Sequence, residues 1–170
     1  MTGRPDPISP APLPPRPTAL LPPDLLLVEE SPLEVELTLR ALQELHPRSY
    51  IEVARDGEEA LDFLFGRGAH RERSGAPPPR MILLGLKLPK MDGIEVLRAV
   101  RTNSRTSMVP VVVLTSSDDP RELAQCYQLG ANSCVQKPVP YDELRAALQG
   151  VGRYWLELNQ DPPAPTIPRI

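Results

Sequence analysis

No stretch of these 170 residues approaches the roughly 18 consecutive apolar positions that a membrane span requires. The N-terminus also lacks the charged, apolar and small-residue regions of a secretory leader, so a cytoplasmic protein is expected. Charge of one sign is missing too. With 19 Lys and Arg against 22 Asp and Glu, the net charge of −3 gives no electrostatic reason to expect nucleic acid or an anionic membrane as a partner. Cysteine is scarce: Cys126 and Cys134 are the only two, and they form no CxxC pair and have no histidines at metal-ligand spacing. They read as reduced core thiols. His46 and His70 lack the company of a catalytic base and are assigned no role.

Proline, by contrast, is plentiful, with nine of its 23 residues in the first 24 positions. Because proline donates no backbone hydrogen bond and favours extended chain, residues 1–23 are expected to be a disordered tail. The "APLPP" within it is a weaker candidate for a polyproline ligand of a partner groove. Residues 161–170, "DPPAPTIPRI", read as a second flexible tail. Between the tails an apolar content of 41% is enough for one globular core.

Short apolar runs alternate with stretches of helical period. Leu25 to Val28, Tyr50 to Ala54, Met81 to Leu84, Val109 to Leu114 and Ser133 to Val135 are the candidate strands, several apolar throughout and so suited to burial on both faces of a parallel sheet. Stripes such as Val35, Leu39, Leu42 and Leu45, or Ile94, Leu97 and Val100, mark helices between them. Ser31-Pro32 with Glu34, Asp119-Pro120 with Glu122, and Asp56 with Glu59 supply helix starts of the capping-box kind, and Gly130 a helix stop. The alternation predicts right-handed crossovers and a doubly wound α/β sheet of five strands and five helices, which binds ligands beyond the carboxyl ends of its strands.

Those ends carry Glu29 and Glu30 after the first strand, Gly85 after the third, Thr115 and Ser116 after the fourth, and Lys137 after the fifth. Carboxylates suit a hard cation, while a hydroxyl and an ammonium suit phosphate oxygens. Nothing in this set carries a phosphoryl group.

"LLLVEESPLEVELTLRAL", "VARDGEEALDFLF", "PRMILLGLKLPKMDGIEVL", "PVVVLTSS" and "GANSCVQKP", in this order, resemble the receiver domain of two-component response regulators. The resemblance spans residues 24–150 and implies a flavodoxin-like fold. Within the family the chain is similar to stand-alone regulators paired with bacterial phytochrome histidine kinases, which also have a longer loop before the third strand and a C-terminal stretch like "YWLELNQDPP". By position, the resemblance makes Glu30 the Mg²⁺-binding acid with Glu29 as its neighbour, and Lys87 the donor of a backbone carbonyl to the metal. It makes Thr115 the hydroxyl that follows the phosphoryl group, with Ser116 beside it, and Lys137 the salt-bridging lysine. Gly85 stands where the family has the aspartate that accepts phosphate, and Cys134 where it has the aromatic that swings with the threonine.

An acyl phosphate needs a carboxylate nucleophile, so a chain with glycine at that position is expected not to be phosphorylated. Asp92, Asp118 and Asp119 begin helices and read as caps rather than substitutes. Losing the carboxylate also removes a metal ligand, and Mg²⁺ binding should weaken. The glycine is tolerable, because three carboxylates about 5 Å apart repel by about 3 kcal/mol per pair at an effective dielectric near 20. The resulting expectation is a regulator that acts by protein binding without phosphorylation, with a histidine kinase of the phytochrome type as partner. An α/β enzyme of flavodoxin-like or nucleotide-binding kind is the alternative, against which stands the absence of any GxGxxG or Walker glycine-lysine loop.

Toward the C-terminus Leu144, Leu148, Val151, Trp155 and Leu158 recur at spacings of four and three, a seam suited to packing on another helix, with Tyr141 and Tyr154 adding aromatic area. An ordinary amphipathic last helix accounts for the first three. Residues 151–160 are expected to extend it, and Trp155 and Leu158 to meet a second copy in a homodimer. The loop at 66–80, "GRGAHRERSGAPPPR", reads as a solvated insertion, with a docking surface for an acidic kinase face as the lesser reading.

Overall fold

The computed structural model describes residues 21–163. Most of the two expected tails, "APLPP" included, lies outside the described residues.

The five strands are β1 (Leu25–Val28), β2 (Ile51–Ala54), β3 (Met81–Gly85), β4 (Val111–Thr115) and β5 (Ser133–Gln136). They form one parallel sheet in the order β2-β1-β3-β4-β5. The helices α1 (Pro32–Leu45), α2 (Gly57–Phe65), α3 (Gly93–Thr102), α4 (Pro120–Gln128) and α5 (Tyr141–Gly152) lie between and after them. Side chains alternate across a strand, and the two faces divide accordingly. Leu26, Val28, Ile82 and Leu84 pack with Ala60, Leu64, Val96 and Leu97 of α2 and α3. Leu25, Leu27, Met81 and Leu83 pack with Val35 and Leu42 of α1 and Leu148 of α5. This double cover is why β1 and β3 are apolar at every side-chain-bearing position. The expected fold is therefore found. β4 begins at Val111 rather than Val109 because Pro110 has no N–H to give to the ladder, although its carbonyl accepts from Ile82 at 2.9 Å.

Three expectations need correction. The first is the capping box at Ser31: its hydroxyl accepts from the Glu34 N–H at 3.3 Å, but the Glu34 carboxylate goes to Lys137 instead of returning to the cap. Asp92 and Glu95 do form a reciprocal box.

The second is the insertion at 66–80, which is not simply solvated. A 3₁₀ segment, Gly68–Arg73, buries Arg73 with its guanidinium 4.0 Å above the Phe63 ring, and His70 meets the same ring edge-on at 5.3 Å. Beyond it, Arg80 binds Asp24 at 3.3 Å, Asp161 at 2.7 Å and the Leu156 carbonyl at 3.0 Å, while the Pro23 carbonyl accepts from the Arg80 N–H. Pro23 and Asp161, both given to the tails by the sequence reading, are thus fastened to the domain.

The third concerns the C-terminal seam. Leu144, Leu148 and Val151 are buried in the domain's own core, not on a partner-facing surface. The helix does run on to Leu158, but as a π-helical segment, Arg153–Leu158. A π turn carries one extra residue, so the buried position moves from Trp155 to Leu156, which is 8% exposed. Trp155 is partly buried beside it; Tyr154 and Leu158 face outward at 50% and 64% exposure. Gly152 allows this approach, since a Cβ there would lie 3.1 Å from Leu42 and 3.2 Å from His46 of and after α1.

Candidate functional site

The carboxyl ends of β1, β3 and β4 and the residue after β5 meet at one edge of the sheet, and that edge opens as a cleft of about 250 Å³ lined by Glu29, Glu34, Gly85, Ser116 and Lys137 among others. Each polar group is fixed by the backbone beneath it. Glu29 donates its N–H to Ala54 at 3.0 Å and Lys137 donates its own to Thr115 at 2.7 Å, so the β1 end is tied to β2 and the β5 end to β4, with β3 between β1 and β4.

Glu29 is buried at 8% exposure. One carboxylate oxygen accepts from the Ser31 N–H at 3.2 Å and the other from Lys137 Nζ at 3.4 Å. Lys137 simultaneously makes a short ion pair with Glu34. Burial raises the Glu29 pKa, opposed by the charge of Lys137 and the Ser31 N–H. For Glu34, desolvation would also raise the pKa, but the Lys137 ammonium outweighs it and the net direction is down. Glu34 is the residue the sequence reading missed; its place three positions after Ser31 gave it a capping role that concealed its reach across the cleft.

Gly85 pairs with Leu114 in the ladder and has no positive φ, so nothing in the backbone demands glycine there. A Cβ at this position would lie 3.0 Å from a Glu29 carboxylate oxygen and 3.1 Å from the Val28 carbonyl. The Glu29 carboxylate thus borders the space that a side chain on residue 85 would enter. The backbone is also tight from below: a Cβ on Gly93, the first residue of α3, would sit 2.2 Å from the Gly85 carbonyl oxygen.

The expected metal set is divided by this arrangement. Glu29 turns into the cleft toward Lys137, whereas exposed Glu30 borders a separate depression with Lys87 and Asp92. No group of three or more His, Cys, Asp or Glu side chains that could hold a metal ion occurs among the described residues. In this arrangement the buried carboxylate faces an ammonium and the second lines a different depression.

Thr115 is partly buried, with its hydroxyl accepting from the Ser117 N–H at 3.1 Å; Ser116 is exposed at the rim. Thr115 and Cys134 line one cavity of about 180 Å³ between β4, β5 and α4. Cys134 thus shares a cavity with the threonine, while the ladder pairs it with Val113. Asp92 and Asp119 cap α3 and α4, as expected. Among the described residues no helix is long and apolar enough to cross a membrane.

Comparison with known proteins agrees with this geometry. The family model described as the response regulator receiver domain matches residues 25–149. A probable methanogenesis regulatory protein, FilR2, of Methanothrix harundinacea is 38% identical over 81% of this chain and 86% of its own length. Response regulator Rcp1 of Synechocystis is 35% identical over 78% of this chain and 88% of its own, and the Mn²⁺-bound form of Rcp1 superposes with a TM-score of 0.72. The phosphorylated cyanobacterial phytochrome response regulator RcpA superposes with a TM-score of 0.77 at 30% identity, over 84% of this chain and 99% of that one.

Proposed function

The chain belongs to the response regulator receiver family, and on that premise we propose that it signals by protein binding without accepting a phosphoryl group, within a pathway of a phytochrome-type histidine kinase. The family is regulatory rather than enzymatic, which removes the support for the α/β-enzyme alternative. The relatives support the kinase class: RcpA is a phytochrome response regulator by name. A cytoplasmic setting is the matching one.

One observation carries the phosphorylation-independent reading. At the end of β3, where attack on a phosphohistidine would begin, Gly85 offers no oxygen, and the nearest carboxylate, Glu29, is engaged by Lys137 and a backbone N–H. An acyl phosphate forms when a carboxylate oxygen attacks phosphorus in line with the leaving group. Lys137, which the resemblance gives to the phosphoryl oxygens, has its charge matched by Glu29 and Glu34. The same pairing lowers the affinity for Mg²⁺, since a cation entering the cleft has to displace the ammonium.

Incubation of the full chain with acetyl phosphate and Mg²⁺, followed by intact mass measurement, tests the reading. We expect no adduct on this chain and a gain of about 80 Da, one phosphoryl group, on a Gly85→Asp variant treated alongside. An adduct on the unmodified chain, mapped to any acid of the cleft, overturns it.

A further inference from the structure

The cavity beside Thr115 contains a feature that phosphoryl chemistry does not use. Cys126, on the inner face of α4 and 1% exposed, and Cys134, half-buried on β5, both line it. Cys134 packs against the buried cluster that contains Cys126, so the two side chains share one wall of that cavity. Eight positions apart in sequence, with the end of α4 and a turn at Gly130 between them, the two sulfurs are brought together only by the packing of helix on strand.

We propose that Cys126 and Cys134 form a reversible disulfide between α4 and β5 by exchange with a small-molecule disulfide such as oxidised glutathione. In the first step the Cys134 sulfur attacks one glutathione sulfur, giving a mixed disulfide and one glutathione thiol. The Cys126 sulfur then attacks the Cys134 sulfur, closes the internal bond and releases the second glutathione thiol. Two protein thiols are oxidised, one external disulfide is reduced to two thiols, and the two protein protons end on the products.

The order of steps follows from access and environment. Cys134 is the more exposed of the two and so the one an external disulfide can reach. Cys126 is more deeply buried, and desolvation pushes its thiol up to about 11. Burial raises Cys134 also, so the exchange is slow and suits equilibration over hours. Closing the bond ties α4 to β5 beside Leu123, which lines the same cavity and is 46% exposed. It does not depend on whether Gly85 blocks phosphorylation.

The test is incubation of the reduced full chain with oxidised glutathione, an acid quench, and alkylation by N-ethylmaleimide in denaturant before intact mass measurement. The expected product is a monomer about 2 Da lighter, with neither thiol alkylated, restored by dithiothreitol. A Cys126→Ser chain should stop at one glutathione adduct, a gain of about 305 Da, because the resolving thiol is gone. Stable glutathione adducts on the unmodified chain, disulfide-linked dimers on a non-reducing gel, or two thiols still alkylated after equilibration each overturn the proposal. Denatured chain serves as the control that the glutathione potential used suffices to oxidise the pair.

Discussion

At the scale of single residues the cleft is governed by two acids that share one lysine yet titrate in opposite senses. Glu29 has its pKa raised above the ordinary 4.5 by burial, so between 4.5 and that raised value the folded chain binds more protons than the unfolded one. Its contribution to stability accordingly falls as pH rises through that window and improves as the solution is acidified toward 4.5. Glu34 is shifted down; what it contributes is present above 4.5 and is lost as pH falls below 4.5 through its folded value. The groups facing Glu29 are Lys137, Glu34 and the Ser31 N–H. A Glu29→Gln chain should therefore lack the gain on acidification: subtracting its melting curve from that of the parent, measured from neutral pH down to 4.5, should leave a difference that grows in the parent's favour. A difference independent of pH refutes the assignment. Gly85→Asp probes the same charge balance from the other side. The new Cβ meets a Glu29 oxygen at 3.0 Å, and the added carboxylate repels the acid it displaces, so in EDTA the variant should be less stable by about 1–3 kcal/mol. It should recover part of the loss in Mg²⁺. A variant that melts higher in EDTA removes the repulsion argument.

Among the secondary-structure elements, the strands were legible and the last helix was not. β1 occupies Leu25–Val28 as the apolar run indicated, because a strand covered on both faces leaves an uninterrupted signature. The ends of the buried strands β1, β3 and β4 placed Glu29, Gly85 and Thr115 for the same reason. Pairings between distant elements left no such mark. Arg73 looked like loop polarity because its partner, Phe63, belongs to α2, and Glu34 looked like a cap because its partner lies beyond β5. The C-terminal seam was misread in phase: a π turn has no residue signature, and one inserted position transfers burial from the Trp155 and Leu158 pattern to Leu156. This gives a contrast within three residues. Leu156→Ala removes a side chain that is 8% exposed and packed in the core, and should cost about 2–3 kcal/mol in chemical denaturation. Leu158→Ala, at 64% exposure, should stay within about 0.5 kcal/mol of the parent. A larger loss from Leu158→Ala than from Leu156→Ala would mean that the helix continues in α-helical phase.

For the whole molecule, the C-terminal segment has one side turned to the fold and one to solvent, and a test of self-association has to separate them. Its inner side completes the fold: Leu156 enters the core, and Arg80 ties the Leu156 carbonyl and Asp161 to Asp24 at the start of β1. Cutting the chain after Val151 would remove all three, so the loss of a dimer in such a truncation could equally report a damaged domain. Its outer side is the part available to a second copy. There Tyr154, packed edge-on to Trp155 at 4.9 Å, and Leu158 present large apolar groups to solvent, and these are the groups that the homodimer expected from the sequence would use. Leu144, Leu148 and Val151 have no part in it, being spent on the domain's own core. A Tyr154→Ser, Leu158→Glu double variant leaves Leu156, Arg80 and Asp161 untouched and sets one carboxylate in each half of a symmetric interface, unpaired and desolvated. Light scattering should give twice the chain mass for the parent and the single-chain mass for the variant, with the melting temperature of a dilute, dissociated sample unchanged by the substitutions. A parent that stays at the single-chain mass as concentration is raised, or a variant that still doubles, assigns the exposed pair no role in self-association.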